Sequence, residues 1–395
     1  MYSLRTDIWN FIKNPIVLMF LFLFGFIQMI VILATINSNN LSSVSDANRK
    51  TQPKTIQLDW RFKTAIKVDI QNMSISHINK TFDIPEIIQY GSEDYQYPLL
   101  VDMLDLVEKV KSGYNVTVEP INNIFYPYII ENENLCNPQN EVVDLLILIK
   151  SDPRNINSRD VIRSTWGKLN CWGNRNVKRV FLFGNLFGNE SHKLTHIKME
   201  QEVYQDIVQS DFIDNYYNNT YKLMLAVNWA TTHCKNTKFL MFVDDDYFVQ
   251  PSAVLSYLES ISTPLRNRLV SGYVWRMAVP QRNKQRKWFV SNEDYPWPYY
   301  PPYCSAGNFF ISMNVAIDIS IAMKYTKFLR FDDVFLGIVL HKLLTVPMHL
   351  SNVFSFIPIT KNSPSYPQII SSHGYKSSKQ IIETWIDLNC SNFCV

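Results

Sequence analysis

The chain has little glycine, 11 residues in 395, and nowhere does it form a Gly-x-Gly-x-x-Gly turn or a Gly-rich loop ending in Gly-Lys-Ser/Thr. A backbone cradle for phosphates is therefore excluded, and any bound nucleotide has to be held by metal and side chains. Net charge is also slight. The 38 Lys and Arg against 35 Asp and Glu leave +3, which gives no footing for a nucleic-acid partner. Cysteine is limited to Cys136, Cys171, Cys234, Cys304, Cys390 and Cys394, at spacings that match no zinc motif. No segment repeats.

Long apolar runs are absent but for one. Ile16 to Ile36 is apolar apart from Gly25, Gln28 and Thr35, long enough at helical rise to cross a bilayer. The Asn- and Ser-rich flank after it offers no partners for a buried core helix, and no small-residue site marks a cleaved signal peptide. Arg5 and Lys13 precede the span, opposed only by Asp7, and no basic residue follows until Arg49. Positive-inside bias then makes residues 1–15 a cytosolic tail, residues 16–36 a signal anchor, and the remainder lumenal. Acceptor sequons for N-glycans agree with that side: Asn40, Asn72, Asn79, Asn115, Asn189, Asn218 and Asn389. All six cysteines follow the anchor, an even number that suits disulfides, with the pairing open.

Residues 37–114 read as a polar stem and a weakly patterned region, with a short helix expected over Leu99 to Val110. From residue 115 to 395 strands and amphipathic helices alternate. Val142–Ile149, Arg179–Phe183 and Lys238–Val243 read as buried strands; Ser158–Trp166 and Tyr217–His233 read as helices. The alternation predicts an α/β domain with a mostly parallel sheet covered on both faces.

The third of those strands runs straight into Asp244-Asp245-Asp246. Carboxylates at the carboxyl end of a buried strand stand in the crevice where α/β sheets bind ligands. Packed so closely they repel, and a hard divalent cation relieves the repulsion. An acidic triplet also makes a solvated turn or a helix cap before Pro251; its place behind a buried strand favours the metal. Arg159, Arg163 and Trp166 share one helix face and suit phosphate oxygens and a stacked base, or else form a solvated stripe with the indole packed inward. Asp332 is placed to cap the helix that follows it, leaving Asp333 in the first turn as a general base. Tyr295 to Gly307 is an aromatic, proline-stiffened loop whose small end residues admit a sugar ring. His373 is a candidate third metal ligand.

In this order the pieces resemble the β-1,3-glycosyltransferase family of β-1,3-galactosyltransferases, β-1,3-N-acetylglucosaminyltransferases and brainiac. Arg159-Asp-Val-Ile-Arg-Ser-Thr-Trp166, Phe181-Leu-Phe-Gly184, the Asp211–Lys222 segment, Asp244-Asp-Asp246, Tyr300-Pro-Pro-Tyr-Cys304 and Asp332-Asp-Val-Phe-Leu-Gly337 are similar to its motifs, over roughly residues 115 to 390. Lys287-Trp-Phe-Val-Ser, Arg330 to Val339 and Ser372-His-Gly-Tyr375 look closest to the brainiac branch. Asp332 stands where Glu is commoner, Asn219 and Leu223 interrupt an Asn-Leu-Thr-x-Lys-Thr pattern, and Ser305-Ala-Gly-Asn308 replaces a more glycine-rich turn.

The resemblance implies a GT-A-type fold and inverting transfer from UDP-GlcNAc or UDP-Gal to the 3-hydroxyl of a glycolipid or glycoprotein glycan, in the Golgi lumen. It implies Asp333 as base and Mn²⁺ (or Mg²⁺) on Asp244, Asp246 and His373. Arg159, Arg163, Trp166, Lys222 and Asp245 would meet the donor. Trp297, Tyr303, Ala306 and Gly307 would line the sugar pocket. A catalytically silent lumenal lectin on the same fold is the alternative, opposed by the intact Asp333 and Asp244–Asp246. A metal-dependent phosphoesterase would need further ligands near the triplet, where His233 is the sole local candidate.

Overall fold

In the computed structural model the alternating pattern resolves into a mixed sheet with helices on both faces. The structure describes residues 102–122, 126–136, 141–186, 191–363, 366–375 and 377–394. The expected signal anchor, the stem, and Asn72, Asn79 and Asn189 lie outside them. Among the described residues no helix is long and apolar enough to cross a membrane.

Chain order begins with helix α1 (Met103–Lys111), strands β1 (Tyr128–Ile130) and β2 (Val143–Lys150), α2 (Ile156–Ser164), β3 (Val177–Asn185), α3 (Ser191–Tyr204) and β4 (Ile207–Ile213). Then come α4 (Asn219–His233), β5 (Thr237–Asp244), β6 (Phe248–Val249), α5 (Pro251–Ser260), the one-turn α6 (Thr263–Arg266) and β7 (Val270–Trp275). β8 (Tyr303–Ser312), α7 (Met313–Ala322), α8 (Asp332–Lys342), β9 (Met348–His349), β10 (Phe354–Ser355), β11 (Ser371–Ser372) and α9 (Ser378–Asp387) follow.

The large sheet has the order β1-β4-β3-β2-β5-β8-β7-β9. Its centre, β4-β3-β2-β5, is parallel, and β8 joins β5 antiparallel. Strands in such a centre are buried on both faces, which is why β2 and β5 read as unbroken apolar runs. Successive side chains still alternate. Leu146, Leu148 and Phe242 pack with Trp229 of α4 and Phe335 of α8, whereas Leu145, Ile147, Ile149 and Met241 pack with Ile162 of α2, Val254 of α5 and Trp385 of α9. The parallel strands all end at one edge, and β7, parallel to β5 through two antiparallel steps, ends there too.

Helix α1, in the stretch read from sequence as stem, packs Met103, Leu106 and Val107 into the first of these clusters. Asp102 caps its first N–H groups, and Lys111 reaches Asp318 of α7 at 2.9 Å. Disulfides join Cys136 to Cys234 and Cys171 to Cys394, while Cys304 and Cys390 are free and buried.

Candidate active site

Parallel register sets Lys150, the last residue of β2, beside Asp244, the last of β5. The Lys150 ammonium lies 3.0 Å from Asp244 Oδ1 and 2.5 Å from Asp332 Oδ2, its side chain only 4% exposed. Burial alone would lower this ammonium; the two carboxylates override that and hold it above its ordinary value. The Asp244 carboxyl is pushed up to about 6 by burial, against the pull of Lys150 and with the help of Asp246 and Asp332. One cation thus joins the end of β5 to the start of α8.

At that start the expected cap is corrected. Phe331 occupies the N-cap position, and Asp332 is the first helical residue, turned inward to Lys150. A charge-paired Asp332 has no need of the capping geometry. Asp333, half-buried in the first turn, accepts the Val334 N–H at 2.8 Å. Burial, reinforced by the Asp332 charge, pushes its carboxyl up to about 7. Burial raises the phenols of Tyr300 and Tyr303 and the Cys304 thiol, and the Asp333 charge adds to it, so this end of the aromatic loop lies within reach of that carboxyl. Gly337 makes this approach feasible, since a Cβ there would lie 2.6 Å from the Tyr303 Cβ. Gly307 is needed for a different reason: a Cβ would collide with the Tyr247 phenol.

His373, just past β11, brings Nε2 to 3.1 Å from Asp246 Oδ2, with side chains 40% and 54% exposed. Its ring lies 4.8 Å from that of Tyr247. Among the described residues no group of three or more His, Cys, Asp or Glu is placed to hold a metal. The expected trio does not converge, because Asp244 is drawn to Lys150. The Asp246–His373 pair does fit a divalent ion as a partial donor set, one carboxylate oxygen and one imidazole nitrogen at an open mouth. Asp245 points elsewhere, accepting Ser151 Oγ at 2.6 Å and Asn155 Nδ2 at 3.1 Å, with burial raising its carboxyl.

The arginine–tryptophan face turns inward. Arg159 is fully buried, paired bidentately with Glu200 at 2.7 Å and donating to the Asp152 carbonyl at 2.7 Å. Arg163 pairs with Asp206 and Glu200, each at 2.7 Å, under the Tyr204 ring. Trp166 is likewise buried, its indole donating to the Tyr247 carbonyl at 3.1 Å. These groups shape the 151–155 turn and the backbone beside Asp246, and the expected nucleotide contact is not open to them. Lys222 is buried too, between Asp214 at 2.9 Å and the Ser151 carbonyl at 2.6 Å. Trp297 and Ala306 are half-buried, Trp297 in edge contact with Tyr295. Asn115 is exposed, whereas the Asn218 amide donates to Ile213 and its sequon partner Thr220 is buried against the Leu329 carbonyl.

Sequence reasoning missed Lys150, Ser151, Asn155 and Asp214. The signal for Lys150 was there: a charged residue closing an otherwise apolar parallel strand stands at the ligand edge of the sheet. Ser151, Asn155 and Asp214 carry none, being ordinary turn residues.

The galactosyltransferase family model matches residues 157–351. A lactosylceramide 1,3-N-acetyl-beta-D-glucosaminyltransferase of Rattus norvegicus is 32% identical over 311 residues, 77% of this chain and 80% of the relative. The beta-1,3-galactosyltransferase brn of Drosophila melanogaster is 34% identical over 257 residues, 65% of this chain and 78% of its own. A UDP-GalNAc:beta-1,3-N-acetylgalactosaminyltransferase 1 of Homo sapiens is 31% identical, covering 71% and 84%.

Replacing Lys150 by Met strands two carboxylates, one of them buried, and should destabilise the fold by ~3–5 kcal/mol. Adding Asp332→Asn should return part of that loss. Equal melting temperatures for wild type and Lys150→Met would remove the clamp from this account.

Proposed function

Because the chain belongs to the β-1,3-glycosyltransferase family, we propose that it is an inverting, metal-dependent hexosyltransferase of GT-A type, moving a sugar from a UDP-sugar to the 3-hydroxyl of a glycan acceptor. The observation that carries this reading is Asp333, a carboxylate raised to about 7 on a helix start beside the aromatic loop. A UDP-sugar presents an α-linked leaving group, and a β product needs attack from the opposite face of the ring. One base is enough. Asp333 takes the proton from the acceptor 3-hydroxyl, and a pKa close to neutrality suits a group that must be ionised before attack and take a proton during it. Asp332 is held in its ion pair with Lys150, so the two adjacent carboxylates divide their roles.

Asp246 and His373 would hold Mn²⁺, which when bound supplies charge neutralisation for the departing diphosphate. Lys150 keeps Asp244 oriented beside that pair. The donor reading places UDP-GlcNAc ahead of UDP-Gal, supported by the glucosaminyltransferase relatives, whose names point to a glycolipid acceptor; the brainiac relative, named a galactosyltransferase, favours UDP-Gal instead. The lumenal Golgi reading, as a single-pass type II protein, is supported by the Ile16–Ile36 run and by two disulfides suited to an oxidising compartment.

Asp333→Asn should lower turnover by roughly 10²–10⁴-fold, the usual cost of a lost general base, while UDP binding stays at the wild-type level. The same variant should be no less stable at pH 8. The folded-state pKa of Asp333 lies above its ordinary 3.8, so the native state binds this proton more tightly, and stability falls as pH rises from 3.8 towards about 7. Asn removes that loss. Full activity in the variant would take Asp333 out of the mechanism.

Asp246→Ala should abolish the Mn²⁺-dependent part of UDP affinity in a calorimetric titration. A folded variant that binds UDP equally well, with the same response to Mn²⁺, would contradict the metal assignment.

A further inference from the structure

Trp288 lies in the long connection between β7 and β8 and is 61% exposed. It is nevertheless held in place. Its indole Nε1 donates to the Tyr216 phenol oxygen at 3.0 Å. The Lys287 ammonium sits over the Tyr216 ring, 3.7 Å from its centroid, and Tyr217 meets Tyr216 edge-on at 5.5 Å. Arg330 then covers Tyr217 at 5.0 Å and Phe331 at 5.2 Å, and donates to the Phe289 carbonyl. From Phe331 the chain passes directly to Asp332 and Asp333. Arg282 fixes the loop from behind, donating to the carbonyls of Val290 and Ser291 at 3.0 and 2.8 Å, and of Tyr295 and Trp297 at 2.7 and 3.1 Å.

The result is an exposed, oriented indole joined contact by contact to the base. The two tyrosines are 42% and 46% exposed, and cations lie over their rings. Such cations stabilise the rings where they stand and keep them from folding over the indole. An exposed indole with a phenol at its edge, and with an ammonium and a guanidinium on the neighbouring tyrosines, suits a sugar ring, which offers C–H groups on one face and hydroxyls around its edge. A buried core would have no use for a tryptophan left this open.

We propose that Trp288, positioned by Tyr216, is a stacking subsite for a saccharide of the acceptor beyond the one that receives the new linkage. The inference rests on the transferase reading of the Asp333 site. It assigns the connection between β7 and β8 to acceptor selection and makes longer glycans the preferred substrates.

The test uses the full chain with β-galactoside, β-mannoside and β-N-acetylglucosaminide acceptors, each offered as a monosaccharide and as a tetrasaccharide with the same terminal sugar. Trp288→Ala should raise KM for the tetrasaccharide roughly tenfold, with kcat, the KM for the UDP-sugar and the KM for the monosaccharide unchanged. Trp288→Phe should restore most of the affinity, and Tyr216→Phe should lose part of it. Equal KM increases for both acceptor lengths, or none for either, would overturn the subsite. Saturation-transfer NMR of the same glycans reads binding without turnover. Trp288-dependent binding of the tetrasaccharide in the absence of any transfer would leave the subsite standing and sink the transferase reading instead. Binding that does not depend on Trp288 would sink the subsite whatever the turnover.

Discussion

The ion pairs of Lys150 with Asp244 and Asp332 are the interaction on which the site depends. Three acidic groups, Asp244, Asp332 and Asp333, are brought from two distant stretches of chain to one edge of the sheet. Without a cation, that concentration of carboxyls would favour protonation or separation. Lys150 satisfies two of them, and the parallel register of β2 and β5 delivers it. The consequence is a division between a neutralised pair and a carboxyl, Asp333, left raised and facing the loop. Breaking such a cluster by removing one partner is far more damaging than never having built it.

A second buried network supports the first from the other side of the strand ends. Arg159, Arg163 and Arg179 share Glu200 and Asp206, and Arg159 reaches the Asp152 carbonyl. Lys222 holds the neighbouring Ser151 carbonyl. Together they fix the turn after β2, whose Ser151 and Asn155 in turn hold Asp245. Asp246 is then the member of the triplet presented outward, towards His373. The acidic triplet therefore acts as three separate residues, one paired, one inward and one at the mouth.

The α/β class, the three central strands and the edge carrying the acidic triplet were legible in the sequence because burial on both faces leaves an unbroken apolar run. The helix face of Arg159, Arg163 and Trp166 was legible as a face, yet periodicity fixes which residues share a side and not which way that side turns. Its direction depends on Glu200 and Asp206, acids that look solvent-exposed in sequence and become buried only because the arginines meet them. The exchange of cap and pair at Asp332 has the same origin, a tertiary partner overriding a local preference. His373, distant in sequence from Asp246, became a neighbour through β11 pairing with β6, which no local pattern announces.

The most direct measurement is the pH dependence of kcat/KM for wild type and Asp333→Glu. With Asp333 as the base, activity rises as its proton is lost, giving an acid limb with a midpoint near 7, and the longer side chain of Glu should shift that limb as well as lower the rate. An acid limb that stays at the same pH in both proteins would contradict the account, because the titrating group would then be another residue.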